Sequence, residues 1–137
     1  IVGSGSEGII SNIIRTFLCD EDEVLTTESA FIGFQLLAKS RGVMYRTVPY
    51  RDWHYDLPAL SVAVNEHTKI IYLANPNNPT GTIFSRHEFD DFYRHVPDTM
   101  RRIPFGGKGA SCDDNLVLAT RILLARAGNA DPLWVAL

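Results

Sequence analysis

An α/β fold built on parallel strands is what this sequence predicts, and three features predict it. β-prone runs alternate along the chain with segments whose apolar residues recur every three or four positions, the pattern of strand-helix-strand units. Helix stop and start signals fall between those segments: Gly42 is one, and the Ser-x-x-Glu box opened by Ser85 is another. With 137 residues, 45% of them apolar, the chain is long enough for one core and therefore one domain. Strands separated by helices are joined by right-handed crossovers and run parallel.

From the amino end, Ile9, Ile10, Ile13, Ile14, Phe17 and Leu18 keep to one helical face, so a helix is expected over residues 6–18. Ser6 and Glu7 stand ahead of that face as a cap and a charge suited to the helix dipole. After an acidic turn, Val24-Leu25-Thr26-Thr27 reads as a short buried strand. A second helix is expected over 31–41, with Gly42 as its stop. Residues 43–48 alternate and are rich in β-formers, 49–56 make a polar and aromatic loop, and 57–64 carry Leu57, Leu60 and Val64 at helical spacing. The next strand is 69–74. Ser85 and Glu88 then open a helix that carries Phe89, Phe92 and Tyr93. Composition shifts after about Asp98, where a glycine-rich loop at 105–109 and one helix over 115–127, closed by Gly128, are expected. The reading thus divides the chain into 1–98, with three strands, and a divergent tail at 99–137.

Charge excludes some partners. Thirteen basic against sixteen acidic side chains leave a net charge of −3, without the basic excess that binds nucleic-acid phosphates or anionic lipid. No apolar run approaches the roughly 20 residues of a membrane-spanning helix. Cys19 and Cys112 form no CxxC pair and have no neighbouring histidine, which fits free thiols in a reducing cytoplasm. The sequence begins with Ile1 rather than Met, leaving room for chain ahead of it.

Two motifs carry chemistry. The opening Ile1-Val2-Gly3-Ser4-Gly5-Ser6-Glu7-Gly8 fits G-x-G-x-x-G before a helix, and Glu28 follows the next strand where a dinucleotide fold would set its ribose-binding acid. Physically it is a glycine-rich turn whose free amides head a helix, an anion site for any phosphate, or else a plain glycine turn. The second motif, Asn75-Pro76-Asn77-Asn78-Pro79-Thr80-Gly81-Thr82, follows the 69–74 strand directly. By itself it is a proline-rigidified turn in which a cis peptide could aim an asparagine side chain.

A strand followed by N-P-N-N-P-T-G, with Gly5-Ser6-Glu7 at the head of an earlier helix, resembles the class I and II aminotransferases, pyridoxal-phosphate enzymes of fold-type I. Over residues 1–98 the likeness is nearest to their histidinol-phosphate aminotransferase branch. The resemblance implies a fragment of the large, cofactor-binding domain, with amino-group transfer between a small amino donor and a 2-oxo acid, or a histidinol-phosphate-type substrate. It implies a homodimer for the complete enzyme. By position, Ser6 and Glu7 would offer amides to the cofactor phosphate, Phe31 would stack on the pyridine, and Asn78 would donate to the phenolic oxygen and favour its deprotonated form.

The same resemblance asks for residues that this chain does not offer. The family's covalent lysine and the aspartate at its pyridine nitrogen should follow Gly81, but Lys108 has Phe105 where a serine should stand, and Asp113 and Asp114 follow Ser111-Cys112 rather than an apolar strand. Lys39 and Lys69 precede the asparagine loop and read as solvated charges, while Arg121 and Arg126 lack the context of the carboxylate-binding arginine. His54, His67, His87 and His95 have no ligand spacing, so no catalytic residue and no metal site is assigned. Two alternatives accompany the enzyme reading: a non-catalytic, truncated or frame-shifted remnant, and a dinucleotide-binding domain using Gly3, Gly5 and Gly8.

Overall fold

In a computed structural model of the chain, residues 4–97 and the backbone of one later strand, Leu116–Thr120, are described. The elements follow the order α1 (Gly5–Phe17), β1 (Glu23–Thr27), α2 (Ile32–Arg41), β2 (Met44–Val48), α3 (Leu57–Ala63), β3 (Thr68–Ala74), α4 (Arg86–His95) and β4 (Leu116–Thr120). The strands form one parallel sheet in the order β2-β1-β3-β4.

Helices cover both faces, so the central strands lose their alternation. β1 and β3 are buried at every position, as parallel strands sandwiched between helices must be. On one face, Ile10, Ile13 and Ile14 of α1 and Phe34 and Ala38 of α2 pack on Val24, Ile70, Tyr72 and Ala74. On the other, Leu57 and Leu60 of α3 and Phe92 of α4 pack on Leu25, Ile71 and Leu73. The division follows from topology. The step from β1 to β2 runs one way along the sheet, while those from β2 to β3 and from β3 to β4 run the other way. With crossovers of constant hand, connections of opposite direction lie on opposite faces.

Local signals set the helix ends. Gly42 takes a left-handed φ of 86° and its amide bonds Lys39 O, closing α2 where a side chain would be strained. Ser85 Oγ accepts from the Glu88 amide, and the Glu88 carboxylate accepts from the Ser85 amide at 2.6 Å, completing the box expected for α4. Asp56 caps α3 by accepting from the Ala59 amide at 2.9 Å. At α1 the cap differs from expectation: the N-cap is Ser4, whose side chain makes no capping bond, and the backbone of Ser6 lies inside the first turn.

Two further expectations are corrected. Residues 116–120, read as part of a helix over 115–127, form β4 and pair with β3 from Ile70↔Leu116 to Ala74↔Thr120. A short apolar run such as Leu-Val-Leu-Ala-Thr suits a strand as well as a helix, and the open amide edge of β3 decides between them. Residues 121–127 lie outside the described part. Cys19, expected as a free thiol, is disulfide-bonded to a partner outside the described residues.

Among the described residues, one buried side-chain polar atom is unsatisfied. Tyr72 is 0% exposed, and its hydroxyl has no hydrogen-bond partner among the described residues. Burial alone pushes this phenol up to about 12. Tyr72→Phe is therefore expected to raise stability by about 1–2 kcal/mol, since a buried hydroxyl without a partner costs more than it returns. A thermal melt of the variant at or below the parent's midpoint would show that the hydroxyl is satisfied.

Candidate functional site

The connections change direction between β1 and β3, and the chain leaves the carboxyl ends of these two strands over opposite faces. In open α/β sheets a crevice forms at that point, outside the carboxyl ends of the strands. The loop after β3 and the turn after β1 meet there.

Three asparagines divide the work of the loop after β3. Asn75 closes its base: its Nδ2 donates to Phe84 O at 2.9 Å, and its Oδ1 accepts from the Phe84 amide at 3.2 Å. Asn77 points inward and is 3% exposed. Its Oδ1 accepts from the Tyr55 hydroxyl at 2.8 Å, and its Nδ2 donates to the Tyr50 hydroxyl at 2.5 Å and to Thr80 Oγ1 at 2.9 Å. Asn78 is exposed, and its side chain makes no hydrogen bond among the described residues. Both Asn-Pro bonds of the loop, Asn75-Pro76 and Asn78-Pro79, are cis.

The amide of Asn77 has only one consistent orientation. The Tyr55 hydroxyl accepts from the Ala74 backbone amide at 3.2 Å and so must donate onward, to Oδ1. The Tyr50 hydroxyl donates to Ser29 O at 3.1 Å and so accepts, from Nδ2. Burial raises both phenols above their ordinary range, Tyr55 further than Tyr50, so both stay protonated donors. One side chain thereby ties together the turn after β1, the segment after β2 and the end of β3.

On the other side of the crevice stand the first turns of α1 and α2. The Gly5, Ser6 and Glu7 amides head α1 with no capping side chain among the described residues, an open set of donors at the positive end of a helix. Phe31 is the half-buried N-cap of α2, and its ring folds over Gly33. A Cβ at position 33 would lie 2.5 Å from Phe31 Cε1 and Cζ and 3.3 Å from Glu7 Oε1, so only glycine lets the three residues meet. The structure thus brings Glu7 and Phe31 together, and sets Asn78 on the loop whose neighbour Asn77 reaches toward Ser29 O, 3.5 Å away. The Ser6 side chain lies outside the described part.

Other groups are remote from this crevice or inert. Lys69, expected as a solvated charge, is instead buried as the second residue of β3 at the opposite end of the sheet, while Lys39 is exposed in the last turn of α2. A cavity of about 550 Å³ opens between α3 and α4, lined by Val62, Ile83, Phe84, His54 and His95, and none of Glu7, Phe31 or Asn78 borders it. No group of histidine, cysteine and carboxylate side chains with metal-binding geometry occurs among the described residues. No described helix is long and apolar enough to cross a membrane. Sequence reasoning missed Tyr50, Tyr55 and Asn77. The aromatic loop at 49–56 was visible, but its pairing with a residue 22 positions away, the Tyr55–Asn77 bond, has no periodic signature.

These elements are those of a known class. The family model for aminotransferase class I and II matches residues 1–104, and the chain belongs to that family of pyridoxal-phosphate-dependent enzymes. Histidinol-phosphate aminotransferase 1 of Mannheimia succiniciproducens is 41% identical over 96 residues, covering 70% of this chain and 26% of that protein. The histidinol-phosphate aminotransferase of Desulfotalea psychrophila is 37% identical over 98 residues, covering 72% of this chain and 26% of that protein. The chain spans about a quarter of the length of these curated relatives. Histidinol-phosphate aminotransferase from Sinorhizobium meliloti, solved in complex with pyridoxal-5'-phosphate, shares the fold with a TM-score of 0.67 at 24% identity, over 87% of this chain and 36% of that one. Aspartate aminotransferase from Thermus thermophilus with maleate does so with a TM-score of 0.68 at 18% identity, over 88% of this chain and 28% of that one. Membership of the family absorbs the glycine motif as the head of α1, in place of the dinucleotide reading.

Proposed function

We propose that residues 1–98 are the cofactor-holding part of the large domain of an aminotransferase, the parent protein transferring an amino group between a histidinol-phosphate-type substrate and a 2-oxo acid. The observation that carries this reading is the convergence, at one switch point of the sheet, of an uncapped helix head, an aromatic N-cap and an outward asparagine. The residues fit pyridoxal phosphate in kind. The open amides at Ser6 and Glu7 would hold a phosphate, the Phe31 ring would cover one face of a flat heterocycle, and the exposed Asn78 amide would donate to its phenolic oxygen. Bound there, the cofactor supplies an aldehyde for the incoming amine and a ring that accepts electrons from the bond being broken. The chain's own residues bind and orient it, and Asn78 keeps its oxygen in the deprotonated form.

A second reading applies to the chain by itself: it holds the cofactor without carrying out transfer. The position of Lys69 at the far end of the sheet and of Lys39 at the far end of α2 favours it. The reading of the parent extends to a homodimer in the cytoplasm, taking small amino donors and 2-oxo acids as substrates.

Titration of the chain with pyridoxal phosphate, followed by borohydride and peptide mapping, separates the two readings. Label on a lysine supports transfer by this chain; saturable binding without label supports holding alone. Asn78→Ala is expected to weaken binding by roughly tenfold, the value of one hydrogen bond to a charged group. Unchanged affinity in that variant removes Asn78 from the site.

A further inference from the structure

We infer that Asn77 is a positioning residue: its buried amide, locked by Tyr50 and Tyr55, sets the backbone that presents Asn78 to the cofactor, so the two asparagines act as one unit. The inference rests on the reading of Asn78 given above. Three further bonds and one longer contact converge on Asn77 besides the bonds of its amide side chain to Tyr50 and Tyr55. Its backbone amide donates to Thr82 O at 2.8 Å, the Gly81 amide donates to its carbonyl at 2.8 Å, Nδ2 donates to Thr80 Oγ1 at 2.9 Å, and Ser29 O lies 3.5 Å from Nδ2. Thr80 Oγ1 in turn meets Thr82 Oγ1 at 2.8 Å, and Thr82 Oγ1 donates to Trp53 O at 3.1 Å.

Asn77, before Asn78, and Thr80, beyond Pro79, are therefore bonded into the fold, while Asn78 itself is bonded to nothing described. A side chain held at both flanks and free at its tip is ordered before a ligand arrives, which spares the ligand that entropy. The polarity of the network is fixed at each end by backbone groups, Ala74 N–H and Ser29 C=O, so the side chain at 77 must accept from Tyr55 and donate to Tyr50, as an amide does. A core asparagine needed only for folding would carry the same bonds but would not be coupled to Asn78.

The test uses the 137-residue chain and pyridoxine 5'-phosphate, a probe that cannot bond a lysine through an aldehyde. Its affinity is measured by fluorescence quenching, and the ionisation of its bound 3-hydroxyl by absorbance against pH. Asn77→Ala and Asn78→Ala are each expected to weaken binding by about tenfold and to move that ionisation to higher pH. The double variant is expected to be no worse than either single one, because both remove the same interaction. Should Asn77→Ala fail to fold, Tyr55→Phe removes a single hydroxyl and is expected to shift the 3-hydroxyl in the same direction by a smaller amount. Additive losses in the double variant, or an unmoved 3-hydroxyl in both Asn77→Ala and Tyr55→Phe while Asn78→Ala moves it, overturn the positioning role alone. If Asn78→Ala moves neither readout, the cofactor reading falls and the positioning role falls with it.

Discussion

Phe34→Ala is expected to cost about 3–5 kcal/mol of folding stability, the range for emptying a fully buried aromatic site. Phe34 is 0% exposed, and its ring stacks on that of Tyr72 with centroids 4.1 Å apart and planes 22° from parallel. Around it lie Ile10, Ile14, Val24 and Ala38, each already set by its own helix or strand, so the void cannot close by one side chain swinging inward. The consequence reaches the site through α2. Phe34 directly follows Gly33 of the Phe31–Gly33 contact, and α2 is what holds that contact against Glu7. Affinity for pyridoxal phosphate should therefore fall along with stability. Urea unfolding with an unchanged slope measures the first effect, and a loss below about 1 kcal/mol would mean that the α1–α2 layer collapses to fill the void.

Much of this architecture can be read from the chain because local signals and tertiary demands agree. The isoleucine pairs of α1, the Gly42 stop and the Ser85–Glu88 box each impose their element by short-range physics, and the structure follows them to within a residue or two. Where they do not compete, as in the buried runs of β1 and β3, helical neighbours on both faces complete the assignment. β4 is the opposite case. Leu116–Thr120 has no local signal that distinguishes strand from helix, and what decides it is the unpaired edge of β3, which no window of sequence contains. The site divides in the same way. Asn78 and Phe31 enter the proposed site by position, through the resemblance that the asparagine-proline motif and its companion turn carry, and not through a local physical signal. Asn77 stands beside Asn78 in the same motif, yet its inward direction depends on Tyr50 and Tyr55, which reach it across 27 and 22 residues. The hydroxyl network is a product of topology, since β1, β2 and β3 end side by side only after the sheet has formed.

The same topology gathers a charged cluster at the opposite end of the sheet, and its removal gives the second large effect. Glu23 opens β1 and its side chain is 3% exposed; Arg46 of β2 holds it through two bonds, Nε to Oε2 at 2.6 Å and Nη2 to Oε1 at 2.8 Å. Arg46 Nη2 also donates to Ala63 O, and Thr68 Oγ1 donates to Glu23 Oε1 at 2.8 Å. Burial is the largest single influence on the Glu23 carboxyl and pushes its pKa up. The bonds from Arg46 and Thr68 together outweigh it and hold the group below 4.5. A carboxyl lowered in the folded state contributes stability above its unfolded pKa and loses it as pH falls through the folded one. Arg46→Ala reverses that balance: burial then dominates, the Glu23 pKa rises, and a buried charge is left without its cation. At neutral pH the cost is expected to be about 2–3 kcal/mol, under the roughly 3–5 for a fully enclosed pair, because Arg46 is 37% exposed. The sign of the pH dependence follows. As pH falls from 7 toward 4.5, the parent chain keeps its pair, while the variant relieves its penalty by taking up a proton, so the difference between them narrows. Paired chemical denaturation at several pH values measures this, and Glu23→Gln in the Arg46→Ala background should recover part of the loss. A difference that stays flat across that range would mean that solvent, rather than Arg46, neutralises Glu23.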